Sequence, residues 1–307
     1  ALTQFIPATE VAATLLQAIE NWSNAAPRLN ALSNSLNAAE RKDAQALDFT
    51  ALASPLPRTW EFLDGSAYLP HVERVRRARG AEVPASFYED PLMYQATSAG
   101  FHGPRDSVQV VSEEYGIDFE SEVVVVTDDV PMAVSAEQAA GHIQLIGLVN
   151  DVSLRNLIPA ELAKGFGFLQ SKPRSTLSPV LVTPDELGDA WRDSKVHLPL
   201  HSWLNGERFG APEAGVDMQF NFAQLVAHAA KTRPLGAGTI VGSGTIANQD
   251  ESLGASCLAE KRMLDIIAHG KPVTPFMSYG DTVRIEMLDA AGNSVFGGIE
   301  QVIEPYG

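Results

Sequence analysis

Apolar and polar positions divide the chain into a helical front part and a strand-rich remainder. Between Thr9 and about Asp48 the sequence is rich in Ala, Leu, Asn and Glu, and Val11, Leu15, Leu16 and Ile19 recur at helical spacing. A Pro-containing break at Leu52 to Pro57 leads into Trp60, Phe62, Leu63 and Tyr68, then into a basic helical segment, Val72 to Arg79, that Gly80 closes. The pattern predicts a boundary near residue 85, with a small, mainly helical domain over 1–85 and a larger domain over 86–307. In the larger part, strand-like runs dominate: Val108 to Val111, Glu120 to Val126, Ile143 to Val149, Pro179 to Thr183, Val216 to Phe220, Thr239 to Ile246, Thr282 to Leu288 and Ser294 to Val302. Short helices interrupt them at Ala136 to Gly141 behind a Ser135 cap, at Phe222 to Ala230 and at Cys257 to His269. Turn signals at Asn205-Gly206 and Ala291-Gly292-Asn293 suggest hairpins. The expected fold class is therefore α+β, mainly β, with a rolled or sandwiched mixed sheet behind a helical N-terminal domain. No internal repeat, heptad run or dinucleotide-binding glycine fingerprint interrupts this reading.

The run Asp118-Phe119-Glu120-Ser121-Glu122 followed by Val123 to Val126 changes the picture most. Strand alternation would point all three carboxylates to one face, where like charges repel. The continuation is apolar and β-branched, as in buried strands, so the end of this acidic comb is expected to run into the protein. A buried comb needs a cation, whereas a solvated strand end does not, and the comb alone leaves both open. Oxygen ligands without thiolate or imidazole select Mg²⁺, Ca²⁺ or Mn²⁺ and point to activation of oxygen-bearing substrates.

Composition sets outer bounds. A chain of 307 residues with 45% hydrophobic and 20% charged content is of ordinary globular composition, and no apolar stretch approaches a membrane span. The net charge of −16 repels phosphate backbones and anionic lipid, and the short Arg74, Arg76, Arg77, Arg79 cluster does not offset it, so neither nucleic acid nor membrane is an expected partner. One cysteine, Cys257, cannot form an internal disulfide, which together with the absence of a signal-peptide pattern suggests a cytoplasmic protein. Ala1 in place of methionine suggests processing or trimming. Two further acidic residues stand out: Asp151, closing the apolar run before it, is either a helix cap or a ligand, and Asp90, before Pro91, is either a turn residue or a ligand.

These segments together resemble the fumarylacetoacetate hydrolase family over roughly residues 86–305, through "FYEDPLMYQ", "GFHGPRDSV", "DFESEVVVV", "ND", "GFLQSKPRSTLSP", "GSGTI" and "SYGDTVRIEM" in the family's order. The resemblance implies the family's mixed β-sandwich roll, a homodimer, and a divalent cation, Mg²⁺ with Mn²⁺ or Ca²⁺ as alternatives, held by Asp90, Glu120, Glu122 and Asp151. It implies that Lys172 holds and polarises substrate beside the metal, and that Glu260 corresponds to a glutamate that orients a catalytic histidine. Gly244 and Thr245, at the tight bend of "GSGTI", offer a backbone N–H and a hydroxyl to an oxygen-rich substrate.

The sequence departs from the family where the general base should be. The segment Pro91 to Phe101 contains no histidine; the nearest imidazole, His102 beside Phe101, is a candidate base by proximity. His71 is assigned to the N-terminal segment. Arg105 could pair with a substrate carboxylate, and Ile158 and Leu162 stand where the animal hydrolase has polar and aromatic groups. The implied activity is metal-dependent hydrolytic carbon–carbon cleavage of a β-diketone or acylpyruvate-type oxo acid, as in aromatic catabolism, with water deprotonated by His102 or by a carboxylate such as Glu260. The alternatives are an enolate-forming decarboxylase, hydratase or isomerase, and a non-catalytic metal-binding scaffold. Cys257 reads as a helix residue rather than a nucleophile.

Overall fold

A computed structural model describes residues 2–78, 82 and 84–307. Two mixed sheets form the body. The first has six strands in the order Thr176–Leu177, Ile143–Asn150, Ser121–Thr127, Ile240–Gly242, Phe62–Gly65, Met93–Ala96. The second has five, in the order Glu207–Gly210, Leu200–Leu204, Thr282–Met287, Ile299–Pro305, Val108–Val110. Each sheet contains one parallel pair, Ile240–Gly242 with Phe62–Gly65 and Ile299–Pro305 with Val108–Val110, and is otherwise antiparallel.

The strand Ser121–Thr127 is buried along its whole length, and its alternation feeds two cores. Val123 and Val125 face the inter-sheet core with Phe119, Ile146, Leu148, Ile285, Met287 and Ile299. Val124 and Val126 face the other way, onto a second core with Leu145, Val149, Phe62, Ile240 and Ile19. Ile19 comes from the first of two N-terminal helices, α1 (Leu15–Glu20) and α2 (Trp22–Asn37). The helical spacing of Leu15, Leu16 and Ile19 thus marks the face that lies on the six-stranded sheet.

The strand Phe62–Gly65 and α3 (Leu69–Ala78) precede residue 85 yet belong to the larger unit, since the strand sits inside the six-stranded sheet, between Ile240–Gly242 and Met93–Ala96. By packing, the N-terminal part ends before Phe62, short of the expected boundary. Gly80 and Arg79 lie outside the described residues, as does the Arg76 side chain.

Three of the expected helices form. α4 (Ala136–Ala139) starts in a Ser135–Gln138 capping box. α6 (Phe222–Ala229) starts in an Asn221–Gln224 box, and α7 (Leu258–His269) runs from Cys257 to a left-handed Gly270. α5 (Ile158–Leu162) starts behind Leu157, so Asp151 is not its cap. The Asn205-Gly206 hairpin also forms, with both residues at positive φ (52° and 80°), as a two-residue turn of this hand requires. Two expected strands do not: Val216 to Phe220 is a turn held by an isolated Tyr68–Met218 bridge, and Pro179 to Thr183 keeps one bridge, Ile146 to Val182. Among the described residues no helix is long and apolar enough to cross a membrane.

Candidate metal centre and acid–base pair

Three carboxylates meet where the six-stranded sheet is most buried. Glu122 comes from the strand Ser121–Thr127, Asp64 from Phe62–Gly65, and Asp151 directly follows Ile143–Asn150. Carboxylate oxygens of the three lie within 4.8 Å of one another, and all three side chains are buried. Two glycines allow the approach. A Cβ on Gly242 would lie 2.2 Å from Asp64 Oδ1, and one on Gly244, at φ +73°, would lie 2.4 Å from the carbonyl oxygen of Gly65. The Gly244 N–H, expected to face substrate, donates to Asp64 Oδ1 at 3.1 Å, and Thr245 beside it is buried.

The charge balance of this cluster is unfinished. Burial, then the Asp151 charge, push the Asp64 carboxyl up to about 8. Burial, reinforced by Asp64 and Glu120, pushes Glu122 well above the carboxylate range, and among the described residues no N–H or hydroxyl group donates to either Glu122 oxygen. Asp151 is satisfied: Oδ1 accepts from the Ser175 hydroxyl at 2.6 Å, and Oδ2 from the Tyr94 hydroxyl at 2.5 Å and Lys172 Nζ at 2.6 Å. Two buried carboxyls that resist ionisation and two orphaned oxygens fit a bound cation, and a donor set made only of carboxylate oxygens suits Mg²⁺, Mn²⁺ or Ca²⁺.

Glu120 lies next to this cluster with both oxygens engaged. Lys172 Nζ donates to Oε2 at 2.5 Å and Arg155 Nη2 to Oε1 at 2.7 Å. Burial alone would raise this carboxyl, but the two cations outweigh it and hold it below the usual range. Burial likewise opposes the Lys172 charge, and Asp151 and Glu120 overcome it, so the ammonium is kept. Asp118 does not join the comb: it accepts from Arg155 Nε at 2.8 Å and from the Leu258 and Ala259 N–H groups at the start of α7.

α7 brings the second half of the site. Its Glu260 is fully buried and accepts at Oε1 from Arg74 Nη1 (2.6 Å) while its Oε2 meets His71 Nδ1 at 3.0 Å. Arg74 also donates to the Asn248 carbonyl, which fixes the guanidinium. His71 and Arg74 stand three residues apart on α3, one face of a helix turn. The two halves abut, because the backbone of Glu120 bridges that of Cys257, the α7 cap.

The structure thus brings together Glu120, Glu122, Asp151, Lys172 and Glu260, and adds Asp64 and His71. It does not bring Asp90, whose side chain is 72% exposed and faces His228 Nδ1 at 3.5 Å; Asp64 stands in the cluster instead. His102 is half-buried beside Thr176, with Asp106 and Arg174 as its charged neighbours, and burial lowers its pKa. Phe101 is a core residue packed on Phe62, 5.8 Å between ring centroids. Arg105 pairs with Glu300 on the exterior. A signal for the missed pair does exist. Asp64 interrupts the apolar run "FLDGSAYL", and His71 follows seven positions later in the first turn of a helix whose second residue is Pro70.

Hard oxygen donors beside an imidazole buttressed by a buried carboxylate and arginine define a site suited to metal-assisted acid–base chemistry on oxygen-rich substrates. The chain belongs to the fumarylacetoacetate hydrolase family: the model for the Fumarylacetoacetate (FAA) hydrolase C-terminal region matches residues 62–303, and that for Fumarylacetoacetase N-terminal domain 2 matches residues 1–58. The 2,4-didehydro-3-deoxy-L-rhamnonate hydrolase of Sphingomonas sp. (strain SKA58) is 31% identical over 159 residues, 51% of this chain and 53% of that protein, so the match spans about half of each. A 5-carboxymethyl-2-hydroxymuconate delta-isomerase from Mycobacterium smegmatis superposes with a TM-score of 0.57 at 18% identity, covering 86% of this chain and 84% of that one. A fumarylpyruvate hydrolase from Pseudomonas aeruginosa, in complex with Mn²⁺ and pyruvate, does so with a TM-score of 0.57 at 13% identity, covering 80% and 90%. At these identities the structural likeness is one of fold. The family is one of enzymes, with hydrolases and isomerases among the proteins matched here.

Proposed function

We propose that this protein is a divalent-metal-dependent hydrolase that cleaves a carbon–carbon bond in a 2,4-dioxo acid of the acylpyruvate type. The observation that carries this reading is the His71–Glu260–Arg74 set beside the carboxylate cluster. With Nδ1–H donating to Glu260 Oε2, the His71 lone pair lies on Nε2, where it can take a proton from water. Arg74 pairs with Glu260 and fixes it in place, so that Glu260 both orients the ring and stabilises the imidazolium that forms.

A divalent cation held by Asp64, Glu122 and Asp151 would supply positive charge to the two substrate oxygens. His71 takes a proton as the water oxygen adds to the distal ketone carbon. The carbon–carbon bond then breaks with its electron pair retained by the departing enolate, and the proton on His71 returns to that carbon, giving a carboxylic acid and a 2-oxo acid. The Lys172 ammonium lies where the enolate charge develops. Tyr94 and Ser175 keep Asp151 from turning away.

The same proton-transfer pair would also serve an isomerase or decarboxylase working through an enolate, a reading favoured by the fold likeness to a delta-isomerase. Loss of ultraviolet absorbance from a panel of acylpyruvates, fumarylpyruvate and oxaloacetate, with Mg²⁺ or with EDTA and with products identified by mass, separates the two. Two acid fragments are expected, and only with metal. Carbon dioxide or a mass-neutral product would select the enolate chemistry without hydrolysis, and inertness throughout would favour a scaffold. His71→Asn is expected to lower kcat by about 10²–10⁴-fold, while His102→Gln leaves it near the parent value.

A further inference from the structure

Next to the carboxylate cluster, and sharing Lys172 with it, lies a cavity of about 160 Å³ lined by Gln95, Ala96, Thr97, Phe168, Leu169 and Lys172. We infer that this cavity receives the distal acyl group of the substrate, and that it selects a small, uncharged group over one that ends in a second carboxylate. The inference rests on the acylpyruvate reading given above.

Its lining has a single charge, and that charge is committed. Lys172 Nζ lies 2.5 Å from Glu120 and 2.6 Å from Asp151. Two other cations close to the carboxylate cluster are also engaged: Arg155 by Asp118 and Glu120, and Arg74 by Glu260. The Thr97 hydroxyl is turned to the Lys172 carbonyl at 3.2 Å, so the polar capacity left in the lining is the Gln95 amide.

The rest is apolar and held in place. The Phe168 ring stands edge-on to Tyr94 at 4.9 Å, and Tyr94 is anchored to Asp151. Leu169 is 80% exposed at the rim, where it can close on an alkyl group. A volume of this size corresponds to about six carbon atoms, since an engineered apolar cavity of ~150 Å³ binds benzene. A carboxylate entering it would give up part of its hydration without gaining a free cation in the lining, in a protein of net charge −16, and that is expected to lower kcat/KM by about ten-fold.

The decisive comparison is butyrylpyruvate against succinylpyruvate, which carries a carboxylate where the other has its terminal methyl, using the Mg²⁺-loaded protein and its Leu169→Arg variant. The expected result is a kcat/KM at least ten-fold higher for butyrylpyruvate in the parent, with the ratio falling about ten-fold or more in Leu169→Arg because succinylpyruvate improves. Equal turnover, or a preference for succinylpyruvate in the parent, would overturn the assignment of the cavity and leave the hydrolytic reading standing. If neither is cleaved, calorimetric titration of the same two compounds decides: preferential binding of butyrylpyruvate keeps the cavity assignment while the hydrolytic reading falls, and absence of binding overturns both.

Discussion

Glu122 is the residue on which the metal argument turns, because a buried carboxyl with two unpartnered oxygens is a cost the fold carries unless something positive is present. Glu122→Gln removes the ionisable carboxyl and keeps the shape. In EDTA the variant is expected to be more stable than the parent, by about 1–3 kcal/mol. Mg²⁺ or Mn²⁺ should raise the Tm of the parent and leave that of the variant unmoved, as differential scanning calorimetry would show. A parent whose Tm ignores both metals would contradict the site. At this scale the sequence was partly legible. Glu120, Glu122 and Asp151 stand out because each adjoins an apolar run long enough to be a buried strand, and such a carboxylate needs a reason. Asp64 offers the same kind of signal in a shorter run, and His71 offers almost none, since what makes it special is Glu260, 189 positions away. Asp90 illustrates the opposite case: an acidic residue in a suggestive motif, followed by Pro91, that the chain leaves on the surface.

Lys172 is held by an element as much as by its own contacts. The Glu161 carboxylate, buried on α5, accepts from the Leu169 N–H (3.2 and 3.1 Å to its two oxygens), the Gln170 N–H (2.6 Å), the Ser171 N–H (3.1 Å) and the Ser171 hydroxyl (2.5 Å). Burial alone would raise it, but the Ser171 hydroxyl and these amides prevail and bring it down to about 2. A pKa that falls on folding contributes stability above the unfolded value of about 4.5, and that contribution is lost as pH drops toward about 2. Glu161→Gln is therefore expected to lose about 1–3 kcal/mol at pH 7, with the gap from the parent closing over that acid range in urea titrations. Its kcat should fall by roughly ten-fold as Lys172 loses its seat. Elements were legible where pattern and cap agree, as in α6 and α7. They were not where a short run mimics a strand: Val216 to Phe220 buries Met218 and Phe220, leaves Val216 exposed and closes a turn, and Phe62–Gly65 is too short to announce itself before its neighbours in the sheet are known.

For the whole molecule, the two cores share one strand. Val123 and Val125 serve the inter-sheet core while Val124 and Val126 meet Ile19 of the N-terminal helices, so the front segment does not form a detachable unit. Ile19→Ala should cost about 2–4 kcal/mol and lower a single unfolding transition common to near-ultraviolet dichroism and activity; a separate early transition for the helices would contradict a shared core. The mixed-sheet roll was expected from strand spacing and turn signals, whereas the place of residues 62–78 within it was not, because a parallel pairing with Ile240–Gly242 leaves no local trace in either segment.

That long-range pairing has a further consequence. His71 and Glu260 are contributed by opposite ends of the larger unit, and Asp64 reaches Gly244 across 180 positions. Closure of such distant contacts comes late in folding, after local helices and hairpins have formed. A nascent or partly refolded chain would carry most of its secondary structure and have no working proton acceptor. On the proposed function, catalysis switches on only at completion, and recovery of turnover after dilution from denaturant should trail recovery of far-ultraviolet dichroism.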